Sequence, residues 1–89
     1  MNKTTYEKEM ENPEFRHFIE RERFMLELSE NIAKAMEEQH ISVRELAKRA
    51  HVSKTVVTGI RSGRRKNITL DKLKDLIDVL NLDLQLVGK

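Results

Sequence analysis

Cysteine and tryptophan are absent from this 89-residue chain, and proline occurs once, at position 13. The lack of thiols excludes disulfide staples and thiolate metal sites and fits a reducing, cytoplasmic interior. No run of about 18 apolar residues occurs, so no membrane span is expected. The opening stretch MNKTTYEKEMENPEF has no apolar core and is not expected to act as a signal peptide. Only four aromatic residues are present, and all of them (Tyr6, Phe15, Phe18 and Phe24) fall in the first 24 positions. The rest of the chain therefore lacks the stacking platform on which readers of single strands and RNA rely. His17, His40 and His51 are scattered, with no pair four residues apart and no acidic cluster at metal-ligand spacing. No enzyme activity, metal, cofactor or small-molecule substrate is expected. The sequon Asn67-Ile68-Thr69 reads as a loop entering a helix cap at Thr69 rather than as a glycosylation site.

Charge is abundant but unevenly placed. The chain carries a net +2, yet residues 42–66 hold Arg44, Lys48, Arg49, Lys54, Arg61, Arg64, Arg65 and Lys66 against Glu45 alone, a local +7 that leaves −5 elsewhere. Such asymmetry points to a polyanion as partner for the middle of the chain.

Helix signals punctuate the sequence. Asn12, Pro13 and Glu14 supply an N-cap, a first-turn proline and an acidic first turn. No further proline and no glycine follow up to Gln39, which predicts one helix of roughly seven turns or two helices bent near Ser29. Leu28, Ile32, Ala35 and Met36 recur at helical spacing. Ser42 and Glu45 read as a capping box for a helix to about Ala50. Ser53 caps a second helix to about Ser62, and Gly63 stops it. Thr69 is expected to cap a last helix with an apolar stripe of Leu70, Leu73, Leu76, Ile77 and Leu80. The tail changes period: Leu82, Leu84 and Leu86 alternate with Asp83 and Gln85, the pattern of a strand. A lone strand needs a partner, so this segment is expected to pair with its counterpart in a homodimer.

Two short helices around a tight turn have the layout of a helix-turn-helix. Ala47 fits a close helix crossing, Val52 plugs the turn, and Val57 and Ile60 face inward. Lys54, Thr55 and Thr58 fall on the opposite arc, which is polar, short-chained and cationic, as a major-groove helix should be. The stretch ISVRELAKRAHVSKTVVTGIRSG resembles the lambda-repressor-like or XRE helix-turn-helix regulators, with Ile41, Ser42, Leu46, Ala47, Val52, Ser53, Val57, Ile60 and Gly63 matching the family pattern. The resemblance runs from about Leu28 to Leu80. His51 departs from it, because the turn position normally holds glycine, and a slightly strained turn is expected. Val43 stands where the family often has a polar contact residue.

The resemblance implies an all-α, lambda-repressor-like bundle of about five helices: an N-terminal helical extension (1–27), a DNA-binding domain (28–81) and a C-terminal strand and tail (82–89). It also implies base reading by Lys54, Thr55, Thr58 and Gly59, and phosphate contacts from Ser42, Arg44, Ser53, Arg61, Arg64, Arg65 and Lys66. A dimer would set two recognition helices about 34 Å apart on a pseudo-palindromic double-stranded operator. Small members with an N-terminal helical extension and a short C-terminal strand are similar to HigA- and HipB-type antitoxins, which implies a repressor that also binds a protein toxin. The apolar patch Phe15, Phe18 and Ile19 is the candidate toxin contact, with core packing or dimer contact as the competing reading. A stand-alone repressor of phage or mobile-element origin, with no toxin partner, is the alternative.

Overall fold

The computed structural model describes residues 4–65 and 67–88, and among them the regular structure is entirely helical. Five helices follow in order: α1 (Thr5–Met10), α2 (Pro13–Glu38), α3 (Val43–Ala50), α4 (Lys54–Ser62) and α5 (Leu70–Val79). Each start is set locally. The Asn12 side chain accepts a hydrogen bond from the Glu14 amide at 2.9 Å, and with Pro13 in the first turn it launches a single helix of 26 residues. The alternative of a break near Ser29 is thereby settled in favour of one helix. The first residues, expected to be frayed or to form a short helix, do form one. Thr4 and Glu7 make a complete capping box for α1.

Two caps differ from their sequence reading. Ser42 accepts from the Glu45 amide at 3.1 Å, but the Glu45 carboxylate turns to Arg49 at 2.6 Å, so only half of that capping box forms. Thr69 occupies the cap position of α5 without a side-chain cap bond. Its side chain instead hydrogen-bonds the Asp71 carboxyl, which, with the Lys72 amide as the second cause, holds that group below the usual carboxylate range.

The helix ends share a common device. At the ends of α2, α3 and α5, the amides of Ile41, Val52 and Leu82 donate back to the carbonyls of Met36, Ala47 and Ile77 at 2.9, 3.0 and 2.8 Å. The residues just before them, His40, His51 and Asn81, are left-handed with φ between 55° and 57°. This is the Schellman closure, in which an apolar residue seals the helix end against its last turns. Ile41 belongs to the core, and Val52 and Leu82 pack against it.

That geometry corrects the expected C-terminal strand. Residues 82–88 carry no strand or helix. Leu82 has committed its amide to the α5 cap and its side chain to the core, so it is not free to open a ladder. A strand also exists only through bonds to a neighbour, and among the described residues none is paired as a strand. Leu84 and Leu86 remain exposed, Leu86 at 94%.

The core joins Ile32, Ala35 and Met36 of α2, Leu46, Ala47 and Ala50 of α3, Val56, Val57 and Ile60 of α4, and Leu76 and Leu80 from the end of the chain. α3 packs on both α4 and α5, and α2 packs on α4. Leu73 and Ile77 are buried as the stripe requires, but Leu70, the first residue of α5, is 83% exposed. The N-terminal half of α2 projects from this bundle. The chain measures 54 × 26 × 23 Å with a radius of gyration of 16.1 Å, against about 12 Å for a compact chain of this length. Among the described residues no helix is long and apolar enough to cross a membrane.

Candidate nucleic-acid interface

α4 is a short helix made of poor helix formers, Thr55, Val56, Val57 and Thr58 among them, so its position depends on packing. Ser53 holds its start by accepting the Val56 amide at 3.1 Å. Val56, Val57 and Ile60 fix its inner side and are buried. Val56 is not among the inward residues that the sequence identifies, since a run of four β-branched residues gives no periodicity with which to choose between Val56 and Val57.

With those three inward, Lys54, Thr55 and Thr58 are left exposed on the outer side. They are the side chains that the sequence assigns to base reading, and the fold brings them together on one accessible arc. Their chemistry suits that role, with an ammonium for guanine O6 and N7, and hydroxyls and methyls for base edges and thymine.

Gly59 has a different surrounding. A Cβ built there would lie 2.7 Å from the Cβ of Arg65, and the Arg65 amide donates to the Gly59 carbonyl at 2.9 Å. The missing side chain thus makes room for the chain's own loop. Arg65 is held further by its Nε–H, which donates to the Asn67 carbonyl at 2.9 Å. Arg65 is thus folded against the helix rather than trailing from it. Arg44, Arg61 and Arg64 are exposed, as are the caps Ser42 and Ser53, and Arg65 is half-buried. Lys66 lies outside the described residues. The amides opening α3 and α4 add positive partial charge beside these cations. Val43 is half-buried against the core, so its side chain serves packing in place of a polar contact.

Two residues that position α4 and its neighbours escape a reading of the sequence. Ser29 is buried and donates its hydroxyl to the Arg61 carbonyl at 2.7 Å, tying α2 to the last turn of α4. Gln39 donates through Nε2 to the Leu80 carbonyl at 2.6 Å and ties α2 to the end of α5. The one available signal was a lone serine within the apolar stripe of α2. Nothing local marks Gln39.

The turn between α3 and α4 carries a cost. His51 adopts φ 57° and ψ 41°, a conformation that disfavours L-residues by about 1–2 kcal/mol. His51→Gly is expected to stabilise the fold by about 1 kcal/mol after the loss of unfolded-state stiffness. Thermal unfolding checks this as a rise of about 4–8 °C, with DNA affinity unchanged because the His51 side chain is not needed for any cap bond.

Phe15 and Ile19 are half-buried and Phe18 is exposed on the projecting part of α2. Phe15 meets Tyr6 edge-on, with centroids 6.5 Å apart, and Phe18 in a tilted pair at 6.4 Å. Among the described residues no group of acidic, histidine or cysteine side chains has metal-binding geometry.

Residues 32–87 match the helix-turn-helix family model HTH_3. No curated protein and no solved structure matches the chain. The match covers well over half of the sequence and spans the whole capped, cationic α3–turn–α4 unit: the chain belongs to the XRE-type helix-turn-helix family of sequence-specific DNA-binding regulators.

Proposed function

We propose that this protein is a transcriptional repressor that binds a pseudo-palindromic double-stranded operator as a homodimer, acts in the cytoplasm, and serves as the antitoxin of a toxin–antitoxin pair. The observation that carries the DNA reading is the exposed arc of Lys54, Thr55 and Thr58 on a helix whose other side is buried. Lys54 and Thr55, at the start of α4, are placed to meet base edges first. Arg44, Arg61, Arg64 and Arg65 hold phosphates, with the Ser42 and Ser53 caps presenting helix amides to the backbone.

The antitoxin reading rests on the projecting arm. Phe15, Phe18 and Ile19 lie N-terminal to the stretch that matches the family, and an amphipathic helix with phenylalanine anchors suits a groove on a second protein. A stand-alone repressor is the competing reading, and co-expression with the neighbouring genes separates the two: a co-purifying toxin is required by the first and forbidden by the second.

Base reading is tested with Lys54→Ala on duplexes selected from a random pool by the wild-type protein. Loss of a bidentate base contact is worth about 1–3 kcal/mol of discrimination, so affinity for the selected duplex falls roughly 5- to 150-fold while affinity for random duplex changes little. Equal losses on both duplexes would reduce Lys54 to a phosphate contact.

A further inference from the structure

From Pro13 to Leu28, α2 buries no side chain fully. Leu28 already packs against the core, so about 22 Å of helix before it, at 1.5 Å per residue, stands off the bundle, supported on one side by the six-residue α1. A free helix of that length is marginal in water, and this one leaves Phe24 and Leu26 more than half exposed. Such an arm calls for a second surface, and its charge pattern says which.

Arg16, Glu20, Arg23 and Glu27 are spaced by four, three and four residues and are all exposed. At 3.6 residues per turn they fall within an arc of about 60°, on a different side of α2 from Phe15 and Phe18. Among the described residues none of the four joins an ion pair, although elsewhere in the chain the same spacing yields Lys34–Glu38, Glu45–Arg49 and Lys74–Asp78. Read forwards the row is plus, minus, plus, minus, and read backwards it is the inverse.

We infer that the arm pairs antiparallel with the same arm of a second copy, about a two-fold axis between Arg21 and Glu22. That register sets Arg16 against Glu27 of the partner subunit and Glu20 against Arg23 of the partner subunit, each pair occurring twice. A parallel pairing would set like charge against like. The antiparallel register also brings Ile19 towards Leu26 of the partner subunit and lets the two Phe24 rings cover each other, sheltering the exposed apolar groups that flank the row. The arrangement is isologous, as a closed dimer requires; it takes Ile19 into the dimer contact and leaves Phe15 and Phe18 on another side of the arm for a toxin.

The inference deepens the dimeric reading and rests on it. Sedimentation equilibrium of the full chain, with circular dichroism to follow helicity, tests it through charge reversal. Glu20→Arg and Arg23→Glu each place like charges together twice, so each variant alone dimerises at least tenfold more weakly than wild type. Mixed in equal amounts, the two variants form a heterodimer in which both contacts between positions 20 and 23 again join opposite charges. Dimerisation then returns to near the wild-type level. If either variant alone associates as tightly as wild type, or if the folded variants fail to rescue one another, the arm pairing is wrong while a dimer built elsewhere survives. A wild-type chain that stays monomeric throughout removes the dimeric reading and this inference together. Should one variant lose helicity alone, recovery of helicity and association on mixing supports the pairing, and failure to recover opposes it.

Discussion

Leu46→Ala is expected to lower stability by about 3 kcal/mol, within the range of roughly 2–5 kcal/mol found when a buried leucine is truncated. Leu46 has no exposed surface, and its helix is the one that packs on both α4 and α5. The void left by the lost methyls therefore lies where α3 meets α4 and α5, in a packed core that relaxes only partly. A domain of this size holds about 5–15 kcal/mol in total, so the substitution consumes a large share. In urea the midpoint falls while the slope is unchanged, since the surface exposed on unfolding is nearly the same. In a thermal melt the loss reads as about 12–24 °C. Leu86→Ser provides the contrast: Leu86 is 94% exposed, and its replacement stays within about 0.5 kcal/mol. A Leu46→Ala melt close to that of wild type would mean that α3 does not hold α4 and α5 together as described.

The same core explains why much of the fold was legible. Caps and stops depend on a few adjacent residues, so Asn12 with Pro13, Ser53, and Gly63 at φ 77° could be named from their neighbours. The stripe of α2 follows from helical period, and so does the spacing of Val57 and Ile60, whereas the burial of Val56 beside them does not. The unread features depend on what lies across space. Ser29 bonds a carbonyl 32 residues away and Gln39 one 41 residues away, and no local pattern announces either. Leu70 continues the period of its stripe but, at the very start of α5, stays 83% exposed. The alternation of Leu82, Leu84 and Leu86 is real, yet the first of the three is consumed by closure of α5. The arc of Lys54, Thr55 and Thr58 was legible because burying one side of a short helix leaves little choice about the other. The role of Gly59 was not, because its neighbour Arg65 arrives through a loop whose path no periodicity defines.

Gly59→Ala is expected to destabilise the protein by about 1–3 kcal/mol, although helix propensity alone favours alanine over glycine by about 1 kcal/mol. The contest is decided by distance. The added Cβ would sit 2.7 Å from the Cβ of Arg65, an atom fixed to the backbone that cannot swing aside as a guanidinium can. Relief requires the loop to move, which stretches the bond from the Arg65 amide to the Gly59 carbonyl and displaces the cation that Asn67 holds in place. Stability and phosphate binding therefore fall together, and the drop in affinity is similar on selected and random duplex, unlike that of Lys54→Ala. The cause is isolated by two second-site changes. Arg65→Ala keeps the offending Cβ and leaves the penalty of Gly59→Ala in place, whereas Arg65→Gly removes it and lets alanine's propensity show, so the sign of the Gly59→Ala effect reverses in that background. Such coupling between touching residues is what a double-mutant cycle measures. Urea unfolding of the six proteins that combine Gly or Ala at 59 with Arg, Ala or Gly at 65 provides the readout. Equal effects of Gly59→Ala in all three backgrounds would show that the loop does not lie on α4, and that the basic residues after Gly63 meet DNA from a position of their own.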